Sequence, residues 1–129
     1  MARMHVVTPA GAGTDLTDHD NLQEDGTTAL VWVNNTAHKY KNTGRELLRI
    51  VKGTGGATMT VTTHAPDQFG LALPDRTIAI AASSDEVYAP LSRGAHNERS
   101  GADEGYTSIA FSNVNGLMVT VIRPNEVAN

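Results

Sequence analysis

Cysteine is absent from this 129-residue chain, and the absence excludes disulfide bonds, thiolate metal sites and a cysteine nucleophile. Aromatic residues are scarce as well, at 5% of the chain, so a folded core has to consist mainly of aliphatic side chains and methionine. No apolar run approaches the roughly 20 residues that span a bilayer, and no long apolar stretch follows Arg3. We therefore expect a chain made in the cytoplasm, without a signal peptide and without a membrane partner.

Lysine and arginine are missing from residues 11–38, although several acidic residues lie there. These are Asp15, Asp18, Asp20, Glu24 and Asp25. Residues 39–52 reverse the balance, with five basic residues against the single Glu46. This distribution predicts either that the acidic segment of one copy pairs with the basic segment of another, or that two loops of opposite charge never meet. The net charge of −4 disfavours nucleic acid as a partner.

Residue types that carry catalysis or bind metals are few and poorly spaced. The densest group of hard ligands, in residues 15–20, lacks the alternating spacing and the glycine of an EF-hand loop. The five histidines include no pair at metal-ligand spacing, and no serine lies in a G-x-S-x-G elbow. The glycine cluster of residues 53–56 precedes a predicted strand and lacks the lysine of a phosphate-binding loop. The sequence therefore predicts that the chain is not an enzyme, with no catalytic residue, no metal site and no cofactor.

Short apolar segments separated by glycine, proline and asparagine turns recur along the chain. Such spacing is typical of an all-β sandwich or barrel. We predict a single domain, residues 1–129, with about eight short strands in a sandwich-like or barrel-like arrangement. The strand candidates are residues 3–8, 28–34, 45–52, 57–63, 76–82, 86–89, 106–112 and 117–123. Residues 45–52 also fit two helical turns, but β-branched Ile50 and Val51 favour a strand.

Side-chain alternation indicates which faces of these strands are buried. Met59 and Val61 alternate with threonines, and Ile109 and Phe111 share one face of their segment. Residues 117–123 are apolar on both faces, which predicts a central strand or a strand covered by a partner. The glycine cluster between the third and fourth candidates predicts that these two strands form a β-hairpin, and the asparagine and glycine before residue 117 predict a second tight turn.

Two stretches hold few of the large apolar residues that a packed core needs. Residues 9–25 predict an extended N-terminal arm or surface loop, and residues 90–105 predict a loop longer than most in compact domains. Because both bury little, we predict that they contact a partner and that deletion of residues 93–103 leaves folding intact. The predicted contact residues are Arg93, His96, Arg99, Asp15, Asp18 and Asp20.

A particular order of turns and strands occupies residues 42–123. It begins with the Asn42-Thr43-Gly44 turn and the apolar segment 47–51, and continues through the glycine cluster, the Met59-Thr60-Val61-Thr62 alternation and residues 69–80. Tyr88-Ala89-Pro90-Leu91 is similar to a Gly-Pro-Phe-like segment, and residues 108–112 and 118–123 stand for two final strands. This order resembles that of small virion proteins of tailed phages, which tend to be encoded near the major capsid protein. The segment that contains Trp32 and the length of residues 90–105 depart from the pattern.

The resemblance implies a β-sandwich head protein of the capsid decoration (cement) type, which binds the outer capsid surface and stabilises the head. It implies the major capsid protein as partner and the capsid exterior of the virion as location, and it carries no active-site residue. Self-association is part of this expectation, and we predict a trimer. A head–tail connector or tail protein, and a binding module for host-surface carbohydrate, are the alternatives that the residues leave open.

Overall fold

This computed structural model describes residues 2–7, 22–25, 27–64 and 73–124. Their regular structure consists of eight short β-strands and one helical turn. In chain order they are β1 (Val6–Val7), β2 (His38–Lys41), β3 (Leu47–Val51), β4 (Ala57–Val61), β5 (Arg76–Ile80), β6 (Asp85–Tyr88), α1 (Arg93–His96), β7 (Tyr106–Phe111) and β8 (Met118–Ile122).

The strands form two four-stranded sheets. Sheet I has the order β1-β8-β3-β6, and sheet II has the order β2-β7-β4-β5. All neighbouring strands are antiparallel except β1 and β8, which run parallel. Buried side chains of both sheets belong to one hydrophobic cluster, as in a β-sandwich. The predicted all-β sandwich-like fold is therefore confirmed.

The core follows the predicted alternation of side chains. Met59 and Val61 of β4 and Ile109 and Phe111 of β7 are fully buried, whereas Thr58 is exposed. Sheet I supplies the facing layer from β3 and β8. Its core residues are Leu48, Ile50, Val119 and Val121. Full burial of each aliphatic side chain contributes about 1.5–3 kcal/mol, so this double layer is the main source of stability.

Strand β8 lies inside sheet I, between β1 and β3. Val121 pairs with Val6 on one side and with Leu48 on the other. The opposite face of the strand is buried too, because Thr120 and Ile122 are each only 3% exposed. The central position predicted from its two-sided apolar pattern is thus confirmed.

The predicted hairpin between β3 and β4 is wrong. β3 pairs with β6 and β8 in sheet I, while β4 pairs with β5 and β7 in sheet II. The glycine-rich connection of residues 52–56 therefore crosses from one sheet to the other. The turn before residue 117 likewise links β7 of sheet II to β8 of sheet I. Turn residues show where a chain reverses, but they do not show which strand it then pairs with.

The strand predicted at residues 28–34 is also wrong, and β2 was missed. Residues 30–33 alternate in exposure as a strand does, with Leu30 and Trp32 buried and Val31 and Val33 exposed by 70% and 53%. Only Ala29 forms a bridge, to Leu22, so among the described residues this segment has no ladder neighbour. Strand β2 has the polar sequence HKYK, which carries little hydrophobic signal.

The N-terminal segment, residues 2–7, contacts both sheets. Arg3 bridges Lys39 beside β2, and the Met4 amide donates to the Lys39 carbonyl at 2.7 Å. Two residues later the chain joins sheet I as β1. The predicted strand 3–8 is therefore divided between the edges of two sheets.

The connections gather at two ends of the sandwich. The helix end comprises residues 42–46, 62–64, 73–75 and 89–105, since α1 packs over the end of β4, where the His64 amide donates to the Ala95 carbonyl at 2.9 Å. The opposite end comprises residues 33–37, 52–56, 81–84 and 112–117. Lys52 is the one charged residue in those four connections, and it is buried.

Candidate interaction surfaces

The helix end positions the three predicted contact residues of the long loop. The Ser92 hydroxyl accepts a hydrogen bond from the Ala95 amide at 3.3 Å and caps α1. Arg93 and Arg99 are exposed, and the Arg99 guanidinium donates to the Gly94 carbonyl at 3.2 Å. His96 is only 5% exposed, and its Nδ1 lies 3.2 Å from the Thr62 carbonyl. The structure therefore brings the two arginines to the surface and turns the histidine inward.

Residues 90–105 are more integrated than the sequence predicted. The Asn97 side chain donates to the Asn42 carbonyl at 2.7 Å and accepts from the Thr107 hydroxyl at 2.5 Å. Asn42 in turn donates to the Leu91 carbonyl at 3.1 Å, and Leu91 is 3% exposed. Because this network joins the loop to β7 and to the connection before β3, the expectation that residues 93–103 can be deleted without harm to folding is withdrawn.

The sequence predicted that an acidic segment could pair with a basic strand, but only two of the five basic residues of that strand segment are exposed. Asp15, Asp18 and Asp20 lie outside the described residues. On the basic side, Lys39 and Arg49 are buried and bond to Asp103 and Asp85. Lys52 is buried and donates to the carbonyls of Thr54 and Asn115. Lys41 and Arg45 are the exposed residues of the set.

A polar network holds the N-terminal segment against sheet II. The Arg3 guanidinium donates to Asp103 at 3.0 Å and lies 4.5 Å from the centre of the Tyr106 ring. Asp103 also accepts from Lys39, and the Tyr106 hydroxyl donates to Glu24 at 2.5 Å. Hydrogen bonds from Lys39 and Arg3 lower the pKa of Asp103. The residues come from four distant parts of the chain, so no local sequence pattern predicts this network.

A cleft of about 300 Å³ lies beside this network. It is lined by Ala2, Arg3, Gln23, Glu24, Asp25 and Lys39. Its charged groups already have partners, since Arg3 bonds to Glu24 and Asp103 and Asp25 accepts from the amides of Thr27 and Thr28. These paired groups offer a small molecule few free donors or acceptors.

A second network surrounds Glu46, a fully buried carboxylate. It accepts from the Thr43 amide at 2.6 Å, from the Thr43 hydroxyl and from the Arg123 guanidinium. Burial alone raises the pKa of Glu46, but the hydrogen bonds from Arg123 and Thr43 outweigh it and hold the pKa below its usual value. The nearby Tyr40 hydroxyl is buried without a hydrogen-bond partner in the described chain, and burial together with the Glu46 charge raises its pKa. This arrangement ties β8 to the connection before β3.

The edge strands are β1 and β6 in sheet I and β2 and β5 in sheet II, and both β5 and β6 begin with exposed charged residues. Arg76 begins β5, and Asp85 and Glu86 begin β6. Charged side chains on an edge strand hinder pairing with another sheet. These charges therefore disfavour strand addition at the start of β5 and of β6.

Charged side chains without a partner within the described ranges concentrate at the helix end. Five of them make no side-chain hydrogen bond or ion pair there, namely Lys41, Arg76, Arg93, Glu98 and Glu104. Arg99 bonds only to a backbone carbonyl, and Asp75 accepts only from the Thr63 amide. Lys41 and Arg76 belong to this end because they terminate β2 and begin β5 beside it. Away from this end, Arg3, Glu24, Lys39, Arg49 and Asp85 are engaged in ion pairs, and those of Arg3 and Lys39 are made with Asp103 of the helix end.

Within the described ranges, no group of three or more histidines and carboxylates is arranged to hold a metal ion. Nor does any helix in that part of the chain have the length and apolar character to cross a bilayer. Comparison with protein-family models, with curated proteins and with solved structures finds no match.

Proposed function

We propose that this chain is a structural virion protein of a tailed phage, a capsid decoration protein that binds the outer surface of the head. In this proposal its partners are the major capsid protein and further copies of itself, and it acts without catalysis. The supporting observation is that residues 42–123, whose motif order resembles small phage head proteins, contain six of the eight strands, β3 to β8, together with α1. The described strands among those that carry the resemblance therefore belong to one sandwich.

In this proposal, many weak contacts together hold the protein on the capsid. A specific interface of standard size buries about 800 Å² on each partner, which is a modest area for a protein exposed to mechanical load. A homo-oligomer that contacts several shell subunits gains avidity without stronger single contacts. By clamping the junctions between shell subunits, such an oligomer opposes the outward pressure of packaged DNA.

The direct test uses heads from a phage in which the gene for this chain is deleted. Purified protein should co-sediment with these heads and saturate at a fixed ratio to the major capsid protein, and decorated heads should withstand higher temperature. Heads that already carry the protein are the control and should take up none. Failure to bind deleted heads at low and at high salt contradicts the proposal.

Copy number separates decoration from the connector alternative. A decoration protein occurs in proportion to the shell subunits, whereas a connector forms a single ring at one vertex. Densitometry of stained virion proteins, calibrated on the major capsid protein, measures this ratio. An amount equal to one ring per particle would favour the connector.

A further inference from the structure

We propose that two copies of the chain associate through strand β5, which pairs in antiparallel order with β5 of the second copy. The four-stranded sheets II of the two copies then form one continuous sheet of eight strands. This inference rests on the self-association in the proposed function and names the surface that carries it. Because the same edge is used in both copies, the contact closes with two copies and gives a dimer instead of the trimer predicted from the sequence.

Among the four edge strands, β5 is the longest, with five residues. Strand β1 has only two residues. The outer edge of β2 is occupied at its middle by the N-terminal segment, since the Lys39 amide donates to the Ala2 carbonyl at 3.0 Å and the Lys39 carbonyl accepts from the Met4 amide. Within the described ranges, no segment bonds to the outer edge of β5.

The backbone groups of Thr77 and Ala79 point away from sheet II. In β4, the Thr58 carbonyl accepts from the amide of Ser112, which follows β7, so Thr58 bonds on the side away from β5. Because successive residues of a strand bond to opposite neighbours, the next residue of β4 bonds to its register partner Ile78. Thr77 and Ala79, on either side of Ile78, therefore direct their N–H and C=O groups outward, and both residues are exposed.

One register engages all of these outward groups. With Ile78 opposite Ile78 of the second copy, Thr77 of each copy lies opposite Ala79 of the other, and the two pairs exchange four backbone hydrogen bonds. Ile78 then forms the closer, non-hydrogen-bonded pair, with Cα atoms about 4.5 Å apart. Its side chain is partly buried and packs against the core, so the second Ile78 covers what remains exposed and extends the core across the contact.

The position of the charge on β5 favours a second copy as the occupant. Arg76 is the one charged residue of the strand, and in this register it lies opposite Ile80 of the other copy. The two Arg76 residues are therefore four positions apart along the seam, about 14 Å. This separation exceeds the screening length of about 8 Å at physiological salt, so the two charges hardly repel each other.

Strand β6, the edge strand next in length that the N-terminal segment leaves open, is not self-complementary in this way. The Lys52 amide donates to the Ser84 carbonyl at 2.8 Å, so Asp85 and Val87 direct their backbone groups outward. Pairing these two residues with those of a second copy places Glu86 opposite Glu86. Like charges directly opposite each other destabilise a sheet.

The contact is weak in solution and gains strength on a shell. Pairing of two five-residue strands buries less than the roughly 800 Å² per partner of a standard interface, so we expect a dissociation constant of about 0.1–1 mM. Copies held next to each other on a shell reach effective concentrations of about 1 mM, at which half or more of them pair. Since backbone hydrogen bonds and Ile78 carry the contact, salt should not weaken it.

Sedimentation equilibrium of the full chain from about 20 µM to about 2 mM tests the inference. Wild type should form a dimer that persists in about 500 mM salt, and amide exchange at Thr77 and Ala79 should slow as the dimer forms. Thr77→Glu/Ala79→Glu places carboxylates opposite each other and should raise the dissociation constant at least tenfold. The matched control Thr54→Glu/Ser100→Glu adds the same charge at exposed sites outside β5 and should dimerise as wild type does. Urea unfolding shows that each variant is folded.

A third variant tests the register. Thr77→Lys/Ala79→Glu brings each new cation opposite a new anion of the other copy, so it should dimerise at least as tightly as wild type in about 20 mM salt and lose any gain in about 500 mM. A register with Thr77 opposite Thr77 would instead bring two cations together and weaken the dimer.

Wild type that stays monomeric at about 2 mM, or a dimer that Thr77→Glu/Ala79→Glu leaves unchanged, overturns the inference. Sedimentation with heads is scored separately. A protein that binds heads but never dimerises refutes this contact alone, whereas a dimer that never binds heads refutes decoration alone.

Discussion

Glu46 shows how a single side chain connects distant parts of the chain. Its carboxylate is fully buried and receives hydrogen bonds from Thr43 and from Arg123. Losing one partner of a buried ionic pair costs more than the pair contributes, because the other charge is left desolvated. The Arg123 side chain keeps 27% exposure, which limits this penalty.

Glu46→Gln should lower the free energy of unfolding by about 2 kcal/mol. The amide nitrogen of the new glutamine would face the hydrogen-bond donors that now bond to the carboxylate, and Arg123 would lose its anion. Urea unfolding followed by circular dichroism measures the change. Glu104→Gln is the matched control, since Glu104 is exposed and has no partner in the described chain, and it should stay within about 0.5 kcal/mol of wild type. Equal effects of the two substitutions would contradict the role of Glu46.

Tyr40→Phe should stabilise the protein by about 1 kcal/mol, since it removes a buried hydroxyl that has no hydrogen-bond partner in the described residues. The opposite sign is expected for Tyr106→Phe, which removes the hydrogen bond to Glu24. The same unfolding measurement compares them. A loss of stability in Tyr40→Phe would show that the hydroxyl is satisfied in solution.

At the scale of elements, the long connection between β6 and β7 acts as a brace. Asn97 links this connection to the buried Asn42 and Thr107. Asn97→Ala should therefore cost about 2 kcal/mol, because it leaves the Asn42 carbonyl and the Thr107 hydroxyl with fewer partners. Ser100→Ala, at an exposed position of the same connection, should be close to neutral. Neutral behaviour of Asn97→Ala would restore the view of a dispensable loop.

The crossing between the sheets at the opposite end depends on close backbone approach. Gly116 has φ +64°, and a Cβ there would lie 2.8 Å from the Cα of Gly53. Gly101 has φ +87°, but a Cβ there meets nothing within 4 Å. Gly101→Ala should thus cost about 1 kcal/mol for its backbone conformation alone, and Gly116→Ala at least about 1 kcal/mol more. Thermal unfolding of both variants checks the order, and a reversed order would refute the clash.

The elements also show what a sequence pattern can and cannot specify. Alternation located β4, β7 and the central β8, because burial on one or two faces is a local property of side chains. It failed at residues 28–34, where Trp32 packs against His38 and Phe111 although no strand of the described residues pairs with this segment. It also failed at β2, where the buried Lys39 pairs with Asp103, which lies far along the chain.

At the helix end, too, the sequence predicted local properties of residues but not their contacts with distant segments. The exposure of Arg93 and Arg99 agrees with their place in a polar loop. The burial of His96 and the ion pairs of Lys39 and Arg49 depend on which segments meet, and that information is not local.

For the whole molecule, acid should be destabilising. Hydrogen bonds lower the pKa of Asp103 and Glu46, and those from Thr28 and Thr27 lower that of Asp25 to about 2. Below the ordinary carboxyl pKa of about 4, the unfolded chain binds protons that the folded chain still excludes, so stability falls as the pH drops from about 4 towards about 2. Urea midpoints measured across this range test the expectation. Glu46→Gln should show the smaller fall, and a flat profile would contradict the assignment.

The parallel pairing of β1 with β8 has a mechanical consequence. Val6 lies beside Val121 and Val7 beside Ile122, with both strands pointing the same way. A pull on the start of β1 against the end of β8 drives the two strands past each other along their length, so their hydrogen bonds are strained together and do not open one after another. The pairing of β1 with β8 is therefore loaded in shear, the geometry in which paired strands resist tension best.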